Sequence, residues 1–286
     1  MPPSSSRRAT LDPVRFVDPR RPPAVTGDEL PYTEIPPPAD LVSYVDRFWL
    51  RTTLTGDGRV HRVLPDGCVD VIVHVERGEA EVVGTMTRAL EVPRGPADLV
   101  AVRFKPGTAA AFTRCPLIEL TDRQPDAAAV VGHAGLRWPG GGLVDRVGQA
   151  ATPRARIGVL IDWLRTRLAG APRPDPMIGH AVGLLLAPSS VRVEPLARQI
   201  GVSRQHLARA FQREVGVTPK QLARIARMQR AAAALGRGAP DLARLAVELG
   251  YFDQAHLGND LRALLGVTPT ALAAEPSQTL GHLFVP

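Results

Sequence analysis

One unit occurs twice in this chain. Residues 196–222 read LARQIGVSRQHLARAFQREVGVTPKQL, and residues 245–272 read LAVELGYFDQAHLGNDLRALLGVTPTAL. Leu196 meets Leu245 and Gly201 meets Gly250 at an offset of 49; His206 meets His256, Leu207 meets Leu257 and Gly216–Pro219 meets Gly266–Pro269 at an offset of 50. The later copy therefore carries one extra residue. A repeated supersecondary unit limits the fold more than any other feature of a sequence, because both copies must bury the same faces.

The unit reads as a helix-turn-helix. Leu196, Ala197 and Ile200 share one helical face. Gly201 sits where the chain leaves that helix and needs a left-handed conformation. Ser203 is an N-cap, whose oxygen accepts a free N–H of the next helix. Leu207, Ala210 and Phe211 then point inward, while Arg204, Gln205, His206 and Arg209 point out with groups that reach base edges or phosphates. One such hairpin alone is an ordinary element of folded proteins. Two copies with the same G-V-T-P exit point to DNA.

Charge agrees. Residues 177–286 hold 12 Lys+Arg against 7 Asp+Glu, and Ser203–Arg230 holds seven basic residues and one acidic, Glu214. That density suits a polyanion. The whole-chain balance of +7 says less, because 33 arginines against 2 lysines points to a GC-rich coding bias.

At 286 residues, two domains are expected. The fold class is α+β: a β-rich N-terminal domain, cupin-like or a small barrel, then an all-α domain with two helix-turn-helix motifs joined by a linker helix. The boundaries read as a disordered tail over 1–27, a β-rich sensor domain over 28–135, a helical segment and linker over 136–175, the DNA-binding domain over 176–275 and a tail over 276–286. Expected strands are Val45–Thr53, Val60–Leu64, Cys68–Val75, Ala80–Gly84, Thr87–Val92 and Leu99–Phe104, separated by glycine–proline turns; Leu41–Trp49 can instead begin as a helical turn. A helix is expected over Thr108–Arg114. Thr152-Pro153 opens another, with Ile157, Leu160, Ile161, Leu164 and Leu168 in one stripe. Residues 169–176 form a proline-rich linker. Pro176–Ala187 starts the C-terminal domain, and Pro219–Leu235, carrying Arg224, Arg227 and Arg230, joins the two copies.

In residues 68–75 the side chains alternate, with Val69, Val71, Val73 and Val75 on one face and Cys68, Asp70, Ile72 and His74 on the other. If the second face lines a cavity, Asp70 and His74, with Trp49 and Arg103 nearby, are candidate ligand contacts. If not, the valines are simply the core. Only Cys68 and Cys115 are present, and no His/Cys set has metal-ligand spacing, so no metal and no cofactor are expected, and reduced thiols fit a cytoplasmic protein. No apolar run reaches the ~20 residues of a membrane span, and the N-terminus lacks the apolar stretch of a signal peptide.

Residues 176–275 resemble the DNA-binding domain of the AraC/XylS family of bacterial transcription regulators. The resemblance lies in Ile200–Ser203, His206-Leu207, Phe211, Gly216–Pro219, Ala246, Leu249–Tyr251, Asp253–His256 and Gly266–Pro269. Leu64–Asp70, Val83-Gly84, Val102–Gly107 and Glu119–Asp122 resemble the small β-rich domain of a subgroup of that family. The resemblance implies a two-lobed reader of two successive major grooves of double-stranded DNA, with activation as the usual outcome and RNA polymerase as a partner. Carried over by position, the base-facing residues are Gln205, Ala208 and Arg209, then Gln254, Ala255, Gly258 and Asn259. Ser203, Arg204, Arg213, Thr218, Lys220 and Thr268 fall where phosphates are expected, Thr218 and Lys220 at a helix start whose free N–H groups favour an anion. The second copy departs from the family: leucines stand at 257 and 261 where aromatics are usual, Asn259 replaces an arginine, Gly258 weakens the helix, and Asp260 falls near the expected phosphates. It is expected to be the weaker reader.

A small-molecule effector and a homodimer are open for the N-terminal domain. An enzymatic alternative would make that domain a catalytic cupin or make Cys68 an alkyl-accepting nucleophile in a DNA-repair regulator. The first needs several His/Glu ligands that are missing, and the zinc-bound form of the second needs four cysteines, so no catalytic residue is assigned.

Overall fold

The structure is a computed structural model that describes residues 15–16, 32–53, 60–93, 95–138, 141–187, 193–238 and 241–274. The tails expected over 1–27 and 276–286 lie outside these residues, apart from a two-residue strand, β1 (Arg15–Phe16).

The alternating runs become β2 (Tyr32–Ile35), β3 (Val45–Thr53), β4 (Val60–Val63), β5 (Val69–His74), β6 (Glu79–Val83), β7 (Leu90–Pro93) and β8 (Ala97–Phe104). Five form an antiparallel sheet in the order β2-β3-β8-β5-β6, and β1, β7 and β4 form a second sheet. Val69, Val71 and Val73 face the same core as Val45, Phe48, Val100 and Val102. That face lies under α1 (Ala127–Val131), α2 (Leu143–Gln149) and α3 (Pro153–Leu168), with a hairpin of β9 (Arg137–Trp138) and β10 (Gly141–Gly142) between. Ile72, on the opposite face of β5, packs with Val63 of β4 and Leu90 and Val92 of β7. Sheet pleating thus gives a core on each side, and the valine face is structural.

Thr152 accepts from the Ala155 amide, and Pro153 occupies the first turn of α3. The apolar stripe of α3 packs inside the N-terminal core, centred on Trp163, 1% exposed, whose indole donates to Gly135 O at 2.9 Å. The helix expected over Thr108–Arg114 shrinks to a 3-10 turn at Ala109–Ala111. Thr108 donates to Tyr44 O and Lys105 O, and the Arg114 amide bonds to Val130 O rather than to its own turn. The strand expected from Thr87 begins only at Leu90, because the Thr87 amide is taken by the Asp122 carboxylate.

The C-terminal helices are α4 (Pro176–Leu186), α5 (Val193–Ile200), α6 (Arg204–Glu214), α7 (Pro219–Gly236), α8 (Leu242–Glu248), α9 (Gln254–Leu265) and α10 (Pro269–Ala274). The first lobe closes around Ile178, Leu185, Leu196, Leu207, Phe211 and Leu222. The second closes around Ile225, Met228, Leu245, Leu257, Leu261 and Leu272, and admits Leu64 and Ala89 from the β domain. The β domain therefore packs against both lobes rather than hanging from residues 169–176.

Candidate nucleic-acid interface

In the first copy, Gly201 adopts φ 79° and turns the chain out of α5. The Val202 amide reaches back to Ala197 O at 3.0 Å, and Ser203 Oγ accepts from the His206 amide at 3.1 Å. That turn aims α6 so that Leu207, Ala210 and Phe211 are buried while Arg204, Gln205, Arg209 and Arg213 are exposed and Ala208 is half-buried. Gln205, Ala208, Arg209 and Arg213 share one face by helical spacing. Arg209 leans on Gln205 O at 3.4 Å, and Arg213 pairs with Glu214 at 2.7 Å on the surface. Thr218 and Gln221 cap α7 reciprocally, which commits the Thr218 hydroxyl; Lys220 beside it is exposed.

The second copy repeats the turn. Gly250 adopts φ 78°, the Tyr251 amide bonds to Ala246 O at 2.9 Å, and Asp253 accepts from the His256 amide at 2.7 Å. Gln254, Ala255 and Asn259 are exposed, Gly258 is half-buried, and Thr268 caps α10 by accepting from the Ala271 amide at 3.2 Å. Two features of this copy were missed in the sequence. Phe252, between the buried Tyr251 and the Asp253 cap, is the one-residue insertion of the second copy, and it is 88% exposed. Arg262 is exposed one turn beyond Asn259, whose side-chain oxygen accepts from it at 3.4 Å. Positions 254, 255, 258, 259 and 262 fall on one face, which puts the Arg262 cation beside Asn259 there. Following the helical period past the aligned position would have found it.

Asp260 does not face outward from α9. It is buried, and it accepts from Arg224 of α7 at 2.6 Å. The other arginines of α7 are also occupied. Arg227 lies over the Tyr251 ring, 5.3 Å from its centroid, and Arg230 donates to Leu186 O and Ala187 O at the end of α4, where a cation is favoured. The basic run thus divides: arginines of α6 face out, and those of α7 tie the lobes together.

Gly258 has room for a side chain, since a Cβ there would meet only Pro269 at 3.9 Å. Gly258→Ala should therefore raise unfolding stability by ~1 kcal/mol in chemical denaturation. A loss of stability would show that the glycine is required by packing.

In the β domain, Trp49, Asp70 and Arg103 come together and His74 does not. Trp49 Nε1 donates to Asp70 Oδ1 at 3.0 Å, Arg103 grips Asp70 through Nε and Nη2 at 3.0 Å each, and its Nη1 reaches Asp66 Oδ2 at 3.0 Å. All four side chains are buried. Burial pushes the Asp66 carboxyl up, and the Arg103 charge opposes that rise. His74 instead pairs with Glu81 at 3.0 Å further along β5. The Cys68 thiol is buried, and burial and the Asp66 charge push its pKa well up, which favours the protonated thiol. Among the described residues no cluster of His, Cys, Asp and Glu could hold a metal, and no helix is long and apolar enough to cross a membrane.

A cleft of about 300 Å³ opens between the domains. Asp46, Arg47 and Asp66 line one side, and Leu186, Ile225, Ala226, Gln229 and Arg230 line the other.

Residues 196–275 match the model of a helix-turn-helix domain, and residues 33–126 match a domain of unknown function (DUF6597). The chain matches no curated protein. Among solved structures it is similar to an AraC-type DNA-binding-domain transcriptional regulator from Chromobacterium violaceum, at 25% identity over 35% of this chain and 90% of that one, TM-score 0.33. It is similar to the C-terminal domain of AraT, a response regulator from Geobacillus stearothermophilus, at 21% identity over 40% and 95%, TM-score 0.33. It is also similar to ToxT from Vibrio cholerae, at 7% identity over 86% and 98%, TM-score 0.39. With both turns built on their motif residues and the match spanning them, residues 196–275 form a helix-turn-helix domain that carries the unit twice.

Proposed function

We propose that the chain is a sequence-specific activator that sets α6 and α9 into two successive major grooves. The observation that carries this reading is the pair of capped helices on one body, each with a polar exposed face over a buried apolar one. Grooves on one face of B-DNA recur every ~34 Å, so one chain can meet two of them without a second copy. Arg209 matches guanine O6/N7, and Gln205, Gln254 and Asn259 match adenine. Ser203, Arg204, Arg213, Lys220 and Thr268 meet phosphates, and Thr218, its hydroxyl held in the α7 cap, contributes through the helix start it caps. Arg262 joins them at the second helix, which remains the weaker reader because Gly258 lowers its helix stability. RNA polymerase is the downstream partner of such an activator.

The β domain is the effector-sensing part. Its polar network is closed, so a small molecule would enter the cleft between the domains, where Asp66 connects to Arg103 and where Gln229 and Arg230 belong to the DNA reader.

Arg209 carries the test. A duplex enriched from random DNA by the intact chain should lose ~1–3 kcal/mol of affinity on Arg209→Ala, with guanine preference relaxed at one position. Lys220→Ala should instead weaken all sequences alike and lower the salt slope by about 0.9. Unchanged base preference in the first variant removes Arg209 from the reading role.

A further inference from the structure

One short segment of the β domain touches both helix-turn-helix units. It is the connection from β6 to β7, residues 84–89. At its start Thr85, fully buried, donates Oγ1 to Val215 O at 2.6 Å, at the end of α6. At its end Ala89, also fully buried, donates its amide to Leu264 O at 2.7 Å, in the last turn of α9. Val215 corresponds to Leu265 in the repeat, so the two acceptors are one position apart. The segment grips the same end of each candidate recognition helix.

The segment is itself fixed. The Gly84 amide bonds to Arg123 O at 3.0 Å, and a Cβ on Gly84 would lie 1.9 Å from Leu120 O. The Asp122 amide bonds to Thr85 O at 3.1 Å, and its carboxylate accepts from the Thr87 amide at 2.7 Å. Asp122 is at φ 54°, the one non-glycine residue at positive φ among the described residues. Such a conformation persists only where the surroundings impose it, and it accompanies functional constraint. Thr121, next to it, donates to Gly216 O at 2.6 Å. A tether between a sensor and a reader needs none of this rigidity.

We propose that Thr85–Ala89, clamped by Asp122, is a spacing gauge: it fixes the separation of α6 and α9 and thereby the distance between the two DNA half-sites that the chain accepts. This rests on the two-groove reading. Helix α7 joins the lobes through the chain, and the gauge bridges them a second time through the ends of α6 and α9. Half-site spacing is a geometric consequence of how far apart the recognition helices are held. The β domain is then part of the reader, and whatever moves it against either lobe changes which operators fit.

The test uses the full chain and a random duplex pool. The natural chain should enrich two half-sites at a single spacing. Asp122→Gly tolerates the positive φ but loses the carboxylate, and Thr85→Val keeps the shape but loses the donor. Each should enrich the same two half-sites at two or more spacings, and each should bind a duplex with one inserted base pair several-fold better, relative to the original duplex, than the natural chain does. Asp122→Asn keeps an acceptor for the Thr87 amide and should keep the single spacing. The gauge is overturned if either folded variant, Asp122→Gly or Thr85→Val, retains the single spacing, because α7 alone then sets it. A natural chain that enriches only one half-site overturns the two-groove reading and this inference with it, and that result is seen before any variant is made.

Discussion

Replacing Arg103 by methionine is expected to cost ~3–5 kcal/mol of folding stability, among the largest losses any single substitution in the β domain should give. Arg103 holds two buried carboxylates, Asp66 and Asp70, through separate nitrogens of one guanidinium. Removing one member of a buried charge network leaves the others desolvated and uncompensated, which is where the penalty arises. The cost should depend on pH with a definite sign. Burial already raises the Asp66 carboxyl above its ordinary value, and Arg103 restrains the rise. Without Arg103 the folded-state pKa goes higher still. A folded state that binds more protons than the unfolded chain loses stability as pH rises through the window between the two pKa values. The difference between variant and natural protein should therefore be greatest near neutral pH and shrink toward pH ~4, where the unfolded carboxyl titrates. Urea unfolding at several pH values measures it. A difference that stays flat with pH would mean that the carboxyls are hydrated and the network contributes little.

Local chemistry made much of this fold readable in the sequence. Ser203, Thr218 and Thr152-Pro153 mark helix starts, and the structure caps a helix at each. The strand pattern on Val69–His74 was readable for the same reason, since alternation needs only neighbours in the chain. What could not be read are bonds closed across long separations. Thr108 spends its hydroxyl on Tyr44, and so the expected helix there ends as a single turn. Asp70 and Arg103 look like pocket polar groups until Asp66 is seen beside them, because only the sheet register places them together. Aligning the repeats position by position also hid Arg262, which lies on the same exposed face one turn on, and it showed the extra residue without showing that Phe252 stands out in solvent.

The second large effect is expected at Leu64, which lies far from the helix-turn-helix units in sequence. Leu64→Ala should cost ~2–5 kcal/mol, the range for a fully buried leucine whose surroundings cannot collapse into the space. Leu64 is 1% exposed, and it packs in one cluster with Ile225, Met228, Leu257 and Leu261 of the second lobe. At positions 257 and 261 the resemblance implies aromatics, and this chain has leucines. A core built with smaller side chains needs volume from elsewhere, since protein interiors are close-packed. Leu64 and Ala89 enter from the β domain and supply it. The first lobe holds Phe211 and closes largely on its own residues. Amide exchange should then separate the two lobes: in Leu64→Ala, protection in α9 should fall well before protection in α6, because local openings follow the contacts that each unit makes. Equal loss in both helices would mean that the lobes open as one unit and that Leu64 serves the whole reader. An unequal loss would mean that the copy with the weaker side chains for DNA also depends on the β domain to stay folded, so that undocking that domain would silence one half of the reader and leave the other in place.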